Sequence, residues 1–183
     1  MKWFTSDWHL GHFATLKFFG RPFELLEEMD DTIIKNIVSV VHPGDEIFFL
    51  GDLSWREDSM KKFLNQLPHK VQFHWILGNH DKGWRKYKSR VSSVALMGET
   101  KIQGHHVVLC HYPMLTWNRS HYGSWQLFGH HHQNANGASK LDKLTVGKMF
   151  NVNLEFNDYK MYSEDDIVSI MERKKDNWDF IKK

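Results

Sequence analysis

Five short motifs in this chain combine the residue types that bind divalent metal ions. In chain order they are Asp7-Trp8-His9, Gly51-Asp52, Gly78-Asn79-His80-Asp81, Cys110-His111-Tyr112-Pro113 and Gly129-His130-His131-His132. Mixed carboxylate and imidazole ligands suit Mn, Fe, Zn, Ni or Co better than calcium. Two such ions about 3.5–4 Å apart can clamp a phosphate group and generate hydroxide near neutral pH. The motifs therefore predict a two-metal site that cleaves phosphoesters.

The hydrophobic pattern predicts the strands that hold these motifs. Apolar runs indicate strands over residues 2–6, 46–50, 71–77, 91–96, 101–103, 106–110 and 124–128. The first candidate ligand of each of the five motifs lies just past the end of one of these strands. Because ligands bind beyond the carboxyl ends of strands in open α/β sheets, we expect the motifs to meet at one sheet edge.

Three helices are predicted between and after these strands. Residues 25–41 carry an apolar side chain at every fourth position from Met29 onward, which forms one apolar helix face. Residues 58–67 form a second helix by the same criterion. A last helix begins at Ser163, because Asp166 three residues later completes a capping-box pattern.

The order of these elements predicts the class of fold. Residues 149–156 and 158–161 indicate a hairpin around Asn157, so strands dominate the later part of the chain. Strand–helix alternation followed by mostly strands is typical of an α/β protein with two packed mixed β-sheets flanked by helices. No linker or repeat divides the sequence, so one domain over residues 1–183 is expected.

Composition limits the class of protein. The chain has 41% hydrophobic and 25% charged residues, which excludes a disordered protein. Its net charge of +2 neither indicates nor excludes a nucleic-acid partner. Cys110 is the single cysteine, so no intrachain disulfide can form, and a reducing compartment is the simpler assumption. The amino terminus has no long apolar stretch and no membrane span is predicted, so the expected location is the cytoplasm.

The five motifs together resemble those of the calcineurin-like metallophosphoesterase superfamily, in particular its small single-domain bacterial and phage members. The resemblance implies a four-layer αββα fold and two divalent ions, with Mn the first expectation and Fe, Zn, Ni, Co or Mg as alternatives. It assigns to the first ion the ligands Asp7, His9, Asp52 and His132. It assigns to the second ion the ligands Asp52, Asn79, His111 and His130, so that Asp52 bridges the pair.

The resemblance also implies roles in catalysis. Asp52 would act through the bridged metals, and His80 would be the general acid or a phosphate contact, since an imidazole can protonate a leaving alkoxide. Asp81 would orient the His80 ring. Asn79 and His80 would contact the substrate, and His12 is a further candidate for that contact.

Other side chains near the motifs are candidate parts of the site. Arg21, Arg56 and Arg119 are candidate phosphate clamps, although each alone is more typical of a solvated surface residue. The Trp117–Gly123 loop either covers the site or packs as an ordinary aromatic loop, and the second reading is favoured. Tryptophans near the motifs, such as Trp55, either stack on a base or fill the core, and core filling is favoured.

The sequence after Gly51-Asp52 indicates the kind of substrate. Members of the protein Ser/Thr phosphatase branch carry Gly-Asp-x-x-Asp-Arg-Gly, whereas this chain continues Leu53-Ser54-Trp55-Arg56. The resemblance therefore favours a phosphodiesterase that hydrolyses a small phosphoester, with a nucleotide among the candidates, by attack of a metal-bridging hydroxide. A phosphomonoesterase and a nuclease with the same metals are alternatives. A non-catalytic scaffold is least favoured, because all the ligand positions and His80 are filled.

Overall fold

The computed structural model describes residues 1–133 and 147–181. In chain order, the helices and strands within these ranges are β1 (Lys2–Thr5), α1 (Ala14–Phe18), α2 (Leu26–Val38), β2 (Glu46–Phe49), α3 (Glu57–Gln66), β3 (Gln72–Ile76), β4 (Ser93–Ala95), β5 (Met97–Ile102), β6 (His105–Cys110), β7 (Trp125–Phe128), β8 (Met149–Asn151), β9 (Tyr162–Ser163) and α4 (Glu164–Glu172). Short 3-10 helices lie at Trp84–Arg90, Ser120–Tyr122 and Leu154–Phe156.

These strands form two mixed sheets, as the sequence predicted. The first sheet has the order β4-β3-β2-β1-β9, with β1 to β4 parallel and β9 antiparallel to β1. The second sheet has the order β5-β6-β7-β8, with β5 antiparallel to β6 and the other pairs parallel. Parallel neighbours end at the same edge of a sheet, so β1, β2 and β3 deliver three of the motifs together, and β6 and β7 deliver the other two.

Period-two alternation along β6 shows how the two sheets pack. Val107 and Leu109 point into a core with Phe4 and Phe48 of the first sheet, whereas Val108 lies on the opposite face with Trp117. The other face of the first sheet packs against α2 and α3. The predicted apolar stripe of α2 lies in that core, and Met29, Ile33 and Ile37 are at most 1% exposed. Both sheets are therefore buried on their facing sides and flanked by helices.

The predicted hairpin around Asn157 is wrong. Strand β8 ends at Asn151 and pairs with β7, whereas β9 pairs with β1 in the other sheet. The side chain of Asn153 accepts a hydrogen bond from the backbone N–H of Glu155 at 2.9 Å, which turns the chain out of the strand. The predicted capping box of the last helix is present, with Ser163 and Asp166 bonded reciprocally. None of the helices in the two described ranges is long and apolar enough to cross a membrane.

Candidate metal centre

The first two motifs leave their strands in a left-handed backbone conformation. Asp7, His9 and Asp52 have φ angles of 59°, 51° and 63°. The N–H of Asp7 donates to the carbonyl of Gly51 at 2.9 Å, and the N–H of His9 donates to the carbonyl of Asp52 at 3.0 Å. Non-glycine residues with positive φ are uncommon and cluster at functional sites. These hydrogen bonds fix the two loops against each other and turn their side chains toward one point.

Glycines in the motifs allow the polar side chains to approach one another. A Cβ atom on Gly78 would lie 2.2 Å from Oδ1 of Asp52, and one on Gly129 would lie 2.5 Å from Oδ2 of Asp7. A Cβ on Gly51 would lie 2.4 Å from Nδ1 of His111. These positions require glycine because the neighbouring ligand side chains occupy the space of a methyl group.

The first group of donor atoms comes from three motifs. Nε2 of His9 lies 3.2 Å from Nε2 of His132 and 3.6 Å from Oδ2 of Asp52. Oδ1 of Asp7 lies 3.6 Å from Nε2 of His132. Ligand atoms that share an ion at about 2.0–2.2 Å are roughly 3.0–3.5 Å apart. The spacing of these atoms is close to that expected for ligands of one ion.

The second group shares Asp52 with the first. Oδ2 of Asp52 lies 3.5 Å from Nε2 of His111, and Nε2 of His111 lies 3.1 Å from Oδ1 of Asn79. The His130 ring lies beside that of His111, with centroids 5.1 Å apart. The structure thus brings the candidate ligands into one region. Among the described residues, the clustered donor atoms form two groups, Asp7 with His9 and His132 and Asp7 with Asp52 and His111, so Asp7 belongs to both, and Asp52 lies between His9 and His111.

Hydrogen bonding directs the basic nitrogens of two imidazoles into these groups. Nδ1 of His111 lies 2.7 Å from the carbonyl oxygen of Leu50, and Nδ1 of His132 lies 2.8 Å from Oε1 of Glu155. Both partners are acceptors, so each Nδ1 carries a proton, and in the neutral imidazole each Nε2 then has a free lone pair. Those lone pairs face other acceptors, the carboxylates of Asp52 and Asp7. Buried acceptors that converge without a donor between them fit a bound cation.

The effect of burial on the pKa values of these groups also favours a bound cation. Asp7 is fully buried, and burial, together with the neighbouring Asp52 carboxylate, raises the pKa of its carboxyl group to about 8. Burial likewise raises the pKa of Asp52. Burial lowers the pKa of His9, and it lowers the pKa of His130 to about 4 with the help of nearby imidazoles. Neutral imidazoles and carboxylates that are costly to ionise alone are the donor set that a divalent ion stabilises.

A buried carboxylate behind His132 has no counterpart in the sequence expectations. Glu155 accepts from Nδ1 of His132 at 2.8 Å and from Nε of Arg21 at 2.8 Å. Burial alone would raise the pKa of Glu155, but the hydrogen bond from His132 and the charge of Arg21 lower it. Arg21 also donates to the carbonyl oxygens of Asp7 and Trp8 at 2.7 and 2.8 Å. Arg21 is therefore a buried support of the first motif, not a solvated surface residue.

The carboxylate of Asp81 contacts different groups from those expected. It accepts the backbone N–H groups of Asp52, Leu53 and Gly78 at 2.8–2.9 Å and the indole N–H of Trp75 at 3.0 Å. The expectation that Asp81 orients the His80 ring is therefore replaced by a different role. Asp81 fixes the backbone of the second motif, and the N–H of His80 in turn donates to Oδ1 of Asp52 at 2.8 Å.

His80 and His12 lie on the side of the first group. The His80 ring is 5.4 Å from that of His9, and the His12 ring is 5.5 Å from that of His9. Trp55 stacks on His12 with centroids 4.3 Å apart and is 56% exposed, so the favoured reading of Trp55 as core filling is wrong.

On the side of the second group, Tyr112 packs against His130 at 4.8 Å. Sequence reasoning had no signal for the position of Tyr112.

The Trp117–Gly123 loop lies away from the donor groups. Its turn at Ser120–Tyr122 leads to the amino-terminal end of β7, whereas the metal-binding motif follows the carboxyl-terminal end. Asn177 donates to the carbonyls of Ser120 and Ser124 at 2.8 and 2.9 Å, which ties the loop to the carboxyl-terminal segment. The loop is therefore a packed connection and does not cover the site.

Comparison with known proteins agrees with this geometry. The chain is 33% identical over 177 residues to an uncharacterized protein of Methanocaldococcus jannaschii, covering 93% of this chain and 90% of that protein. It is 36% identical over 85 residues to the gene 66 protein of Mycobacterium phage L5, which covers 43% of this chain and 39% of the phage protein.

A solved structure shows the same fold. The crystal structure of a protein of unknown function, AQ665 from Aquifex aeolicus, superposes with a TM-score of 0.74 at 24% identity, covering 93% of this chain and 98% of that one. Residues 3–183 match the family profile described as calcineurin-like phosphoesterase. The chain therefore belongs to the calcineurin-like phosphoesterase family and is a metal-dependent phosphoester hydrolase.

Proposed function

We propose that the chain is a phosphodiesterase that uses two divalent ions. The observation that carries the proposal is the position of Asp52. Its Oδ2 lies 3.6 Å from Nε2 of His9 and 3.5 Å from Nε2 of His111, so one carboxylate oxygen serves both donor groups. Two ions held by these residues would neutralise the phosphoryl oxygens and lower the pKa of bound water.

The side chains divide into two ligand sets. The first ion would be held by Asp7, His9, Asp52 and His132. The second ion would be held by Asp52, Asn79, His111 and His130. Manganese is the first ion to test. Mixed imidazole and carboxylate ligand sets bind Mn, and they also bind Fe, Zn, Ni and Co.

His80 is proposed as the general acid for the leaving oxygen. Its backbone N–H is held by Asp52 at 2.8 Å, and its ring lies 5.4 Å from that of His9, so it borders the first donor group. An imidazole in this position can donate a proton to an alkoxide as the P–O bond breaks. Asn79 and His80 then contact the phosphoryl group, with His12 beside them.

The positions of the arginines favour a diester over a monoester. A phosphomonoester dianion is usually held by guanidinium groups. Arg21 is turned into the protein toward Glu155, and Arg119 lies in the loop at the other end of β7. Among the three candidate clamps, Arg56 is the one that remains near the site, and it lies beside Trp55. A diester carries a single negative charge and needs less neutralisation than a monoester.

A metal-resolved assay tests the proposal. The purified chain is stripped with chelator, reloaded with Mn, Ni, Zn or Mg, and assayed with bis-p-nitrophenyl phosphate and p-nitrophenyl phosphate. We expect turnover only after metal addition, with the larger kcat/KM for the diester. Preference for the monoester would refute the diesterase assignment in favour of a phosphatase.

A matched variant separates the metal requirement from general damage. Asp52→Asn removes the shared carboxylate, whereas Asp45→Asn alters another buried aspartate, which lies at the opposite end of β2 and accepts hydrogen bonds from Met1, Trp3 and His42. We expect the first variant to lose diester hydrolysis with every metal and the second to retain it. Equal activity of the two variants would contradict the two-ion mechanism.

A further inference from the structure

A cavity next to His80 is lined by side chains that the proposed reaction does not use. It has a volume of about 200 Å³, and its lining includes Trp55, Arg56, Lys82, Lys86 and Tyr87. Lys82 is separated from His80 by one residue, and the Trp55 ring lies 5.5 Å from the His80 ring. The cavity therefore lies beside the segment that carries His80, and Trp55 both lines the cavity and lies near the His80 ring.

Trp55 is held in an exposed position by specific contacts. Its backbone N–H donates to the carbonyl of Leu10 at 2.8 Å, which ties it to the segment that carries His9. Its indole stacks on His12 with an interplanar angle of 11°. By contrast, Trp8 and Trp75 of the neighbouring motif segments are at most 3% exposed. A fixed, exposed indole beside a reaction centre is suited to stack on a flat ring of a ligand.

The cavity also carries positive charge. Lys86 is paired with Glu57, which also binds Lys61. Within the two described ranges, Arg56 and Lys82 make no ion pair with an acidic residue. The cavity next to Trp55 thus presents a guanidinium and an ammonium group, and these groups bind phosphate oxygens.

We propose that this cavity binds the leaving group of the substrate, and that the leaving group is a nucleotide. The flat base would stack on Trp55, and a further phosphate of that nucleotide would contact Arg56 and Lys82. The inference rests on the proposed phosphodiesterase function, because His80 identifies the leaving-group side. It specifies a substrate with a phosphate in addition to the one that is cleaved.

Binding measurements test the subsite without turnover. Calorimetry compares thymidine 3′,5′-bisphosphate with thymidine 5′-monophosphate on the manganese-loaded full chain. We expect the bisphosphate to bind about tenfold more tightly, because its additional phosphate would form charge-assisted hydrogen bonds with Arg56 and Lys82. The bisphosphate and the monophosphate should bind about equally tightly to Arg56→Ala/Lys82→Ala. The preference should persist in Arg85→Ala/Lys88→Ala, which removes the same charge from the adjacent 3-10 helix.

The stacking contact has its own matched control. Trp55→Ala should weaken both thymidine ligands about tenfold relative to inorganic phosphate, since base stacking contributes roughly 1–3 kcal/mol. Trp178→Ala removes a tryptophan of similar exposure, 59%, on the carboxyl-terminal segment, and should leave both affinities unchanged.

The outcomes separate the subsite from the proposed function. Hydrolysis of bis-p-nitrophenyl phosphate without a preference for the bisphosphate would refute the subsite alone. A bisphosphate preference that survives in Arg56→Ala/Lys82→Ala would also refute it. Absence of diester turnover with every metal would refute the phosphodiesterase, while the bisphosphate comparison would still decide whether the cavity binds a nucleotide phosphate.

Discussion

Asp52 is the side chain on which both proposed ligand sets depend. Asp52→Asn keeps the shape of the side chain but removes the negative charge between His9 and His111. We expect bound manganese to fall from about two ions per chain to one or fewer, because a neutral amide is a poor bridge between cations. Elemental analysis after gel filtration measures the change. Metal content equal to that of the wild type would contradict the bridging role.

His80 is expected to act on the leaving group and not on the metals. His80→Ala should retain the wild-type metal content and lose about 10²–10⁴-fold in kcat for an alkyl diester, the usual contribution of a general acid. The loss should be much smaller for a nitrophenyl diester, because nitrophenolate leaves without a proton. His105→Ala, at the start of β6 and stacked on Trp125, is the control. Equal losses for both leaving groups would exclude proton donation by His80.

Glu155 positions the His132 ring through a single hydrogen bond. Glu155→Gln should weaken metal binding by about 10–100-fold, the usual effect of altering such a partner, because the neutral amide stabilises the Nδ1–H of His132 less than the carboxylate does. Titration with manganese measures the affinity. Glu99→Gln changes another carboxylate paired with a histidine, His106 at 3.1 Å, away from the donor groups. An unchanged affinity in Glu155→Gln would remove Glu155 from the site.

Residue types and spacing were sufficient to predict candidate ligands that the fold brings together, but not the residues that support them. Asp7, Asn79 and His111 stand in motifs whose composition already indicates metal binding. Glu155 stands in a segment that reads as a strand, and its importance appears only when the fold places it behind His132. Arg21 was a surface candidate for the same reason, since its partner Glu155 lies far along the chain. Buried long-range pairs of this kind leave no local pattern in a sequence.

At the scale of elements, the motif loops must bring the ligand side chains close together as well as supply them. Gly78→Ala adds a methyl group that would lie 2.2 Å from Oδ1 of Asp52. Because that contact cannot be relieved without moving the carboxylate, we expect at least a tenfold loss of metal affinity. Gly98→Ala is a milder test, since its nearest neighbour is Cδ1 of Ile76 at 3.1 Å. Isothermal titration measures the manganese affinity of both variants. Equal affinities would contradict the steric argument.

The strands and helices that carry strong periodicity were predicted to within a few residues. Helix α2 was expected over residues 25–41 and spans Leu26–Val38, and the strands before all five motifs are present. The failure after Met149 has a different origin. Asn153 turns the chain by a hydrogen bond between its side chain and the backbone, so apolar residues on either side of it belong to different sheets. Apolar runs indicate burial but not which sheet a strand joins.

At the scale of the whole molecule, the donor groups join the two sheets. Asp7, His9, Asp52 and Asn79 follow strands of the first sheet, whereas His111, His130 and His132 follow strands of the second. An ion bound to both sets therefore connects the two sheets across their common edge. Metal binding should raise the free energy of unfolding, by about 2.7 kcal/mol when the metal concentration is 100 times its Kd.

The metal-free protein should lose stability as the pH rises from about 6.5 to 8. Burial raises the pKa of Asp7 from 3.8 to about 8, so the folded chain holds a proton that the unfolded chain has released. Stability then falls with pH over this range, by at most about 2 kcal/mol. The raised pKa of Asp52 acts in the same direction. The lowered pKa values of His9 and His130 act mainly below 6.5, where the unfolded chain takes up protons.

Urea unfolding of the chelator-treated chain at these two pH values measures the effect. The midpoint should be lower at the higher pH, and Asp7→Asn should remove most of the difference because the amide does not titrate. Manganese should reverse the trend, since its ligands bind it in their deprotonated forms and its affinity rises with pH. If the metal-free chain instead gained stability over this range, Asp7 would be ionised in the folded state. The raised pKa of Asp52, and not that of Asp7, would then favour a bound cation.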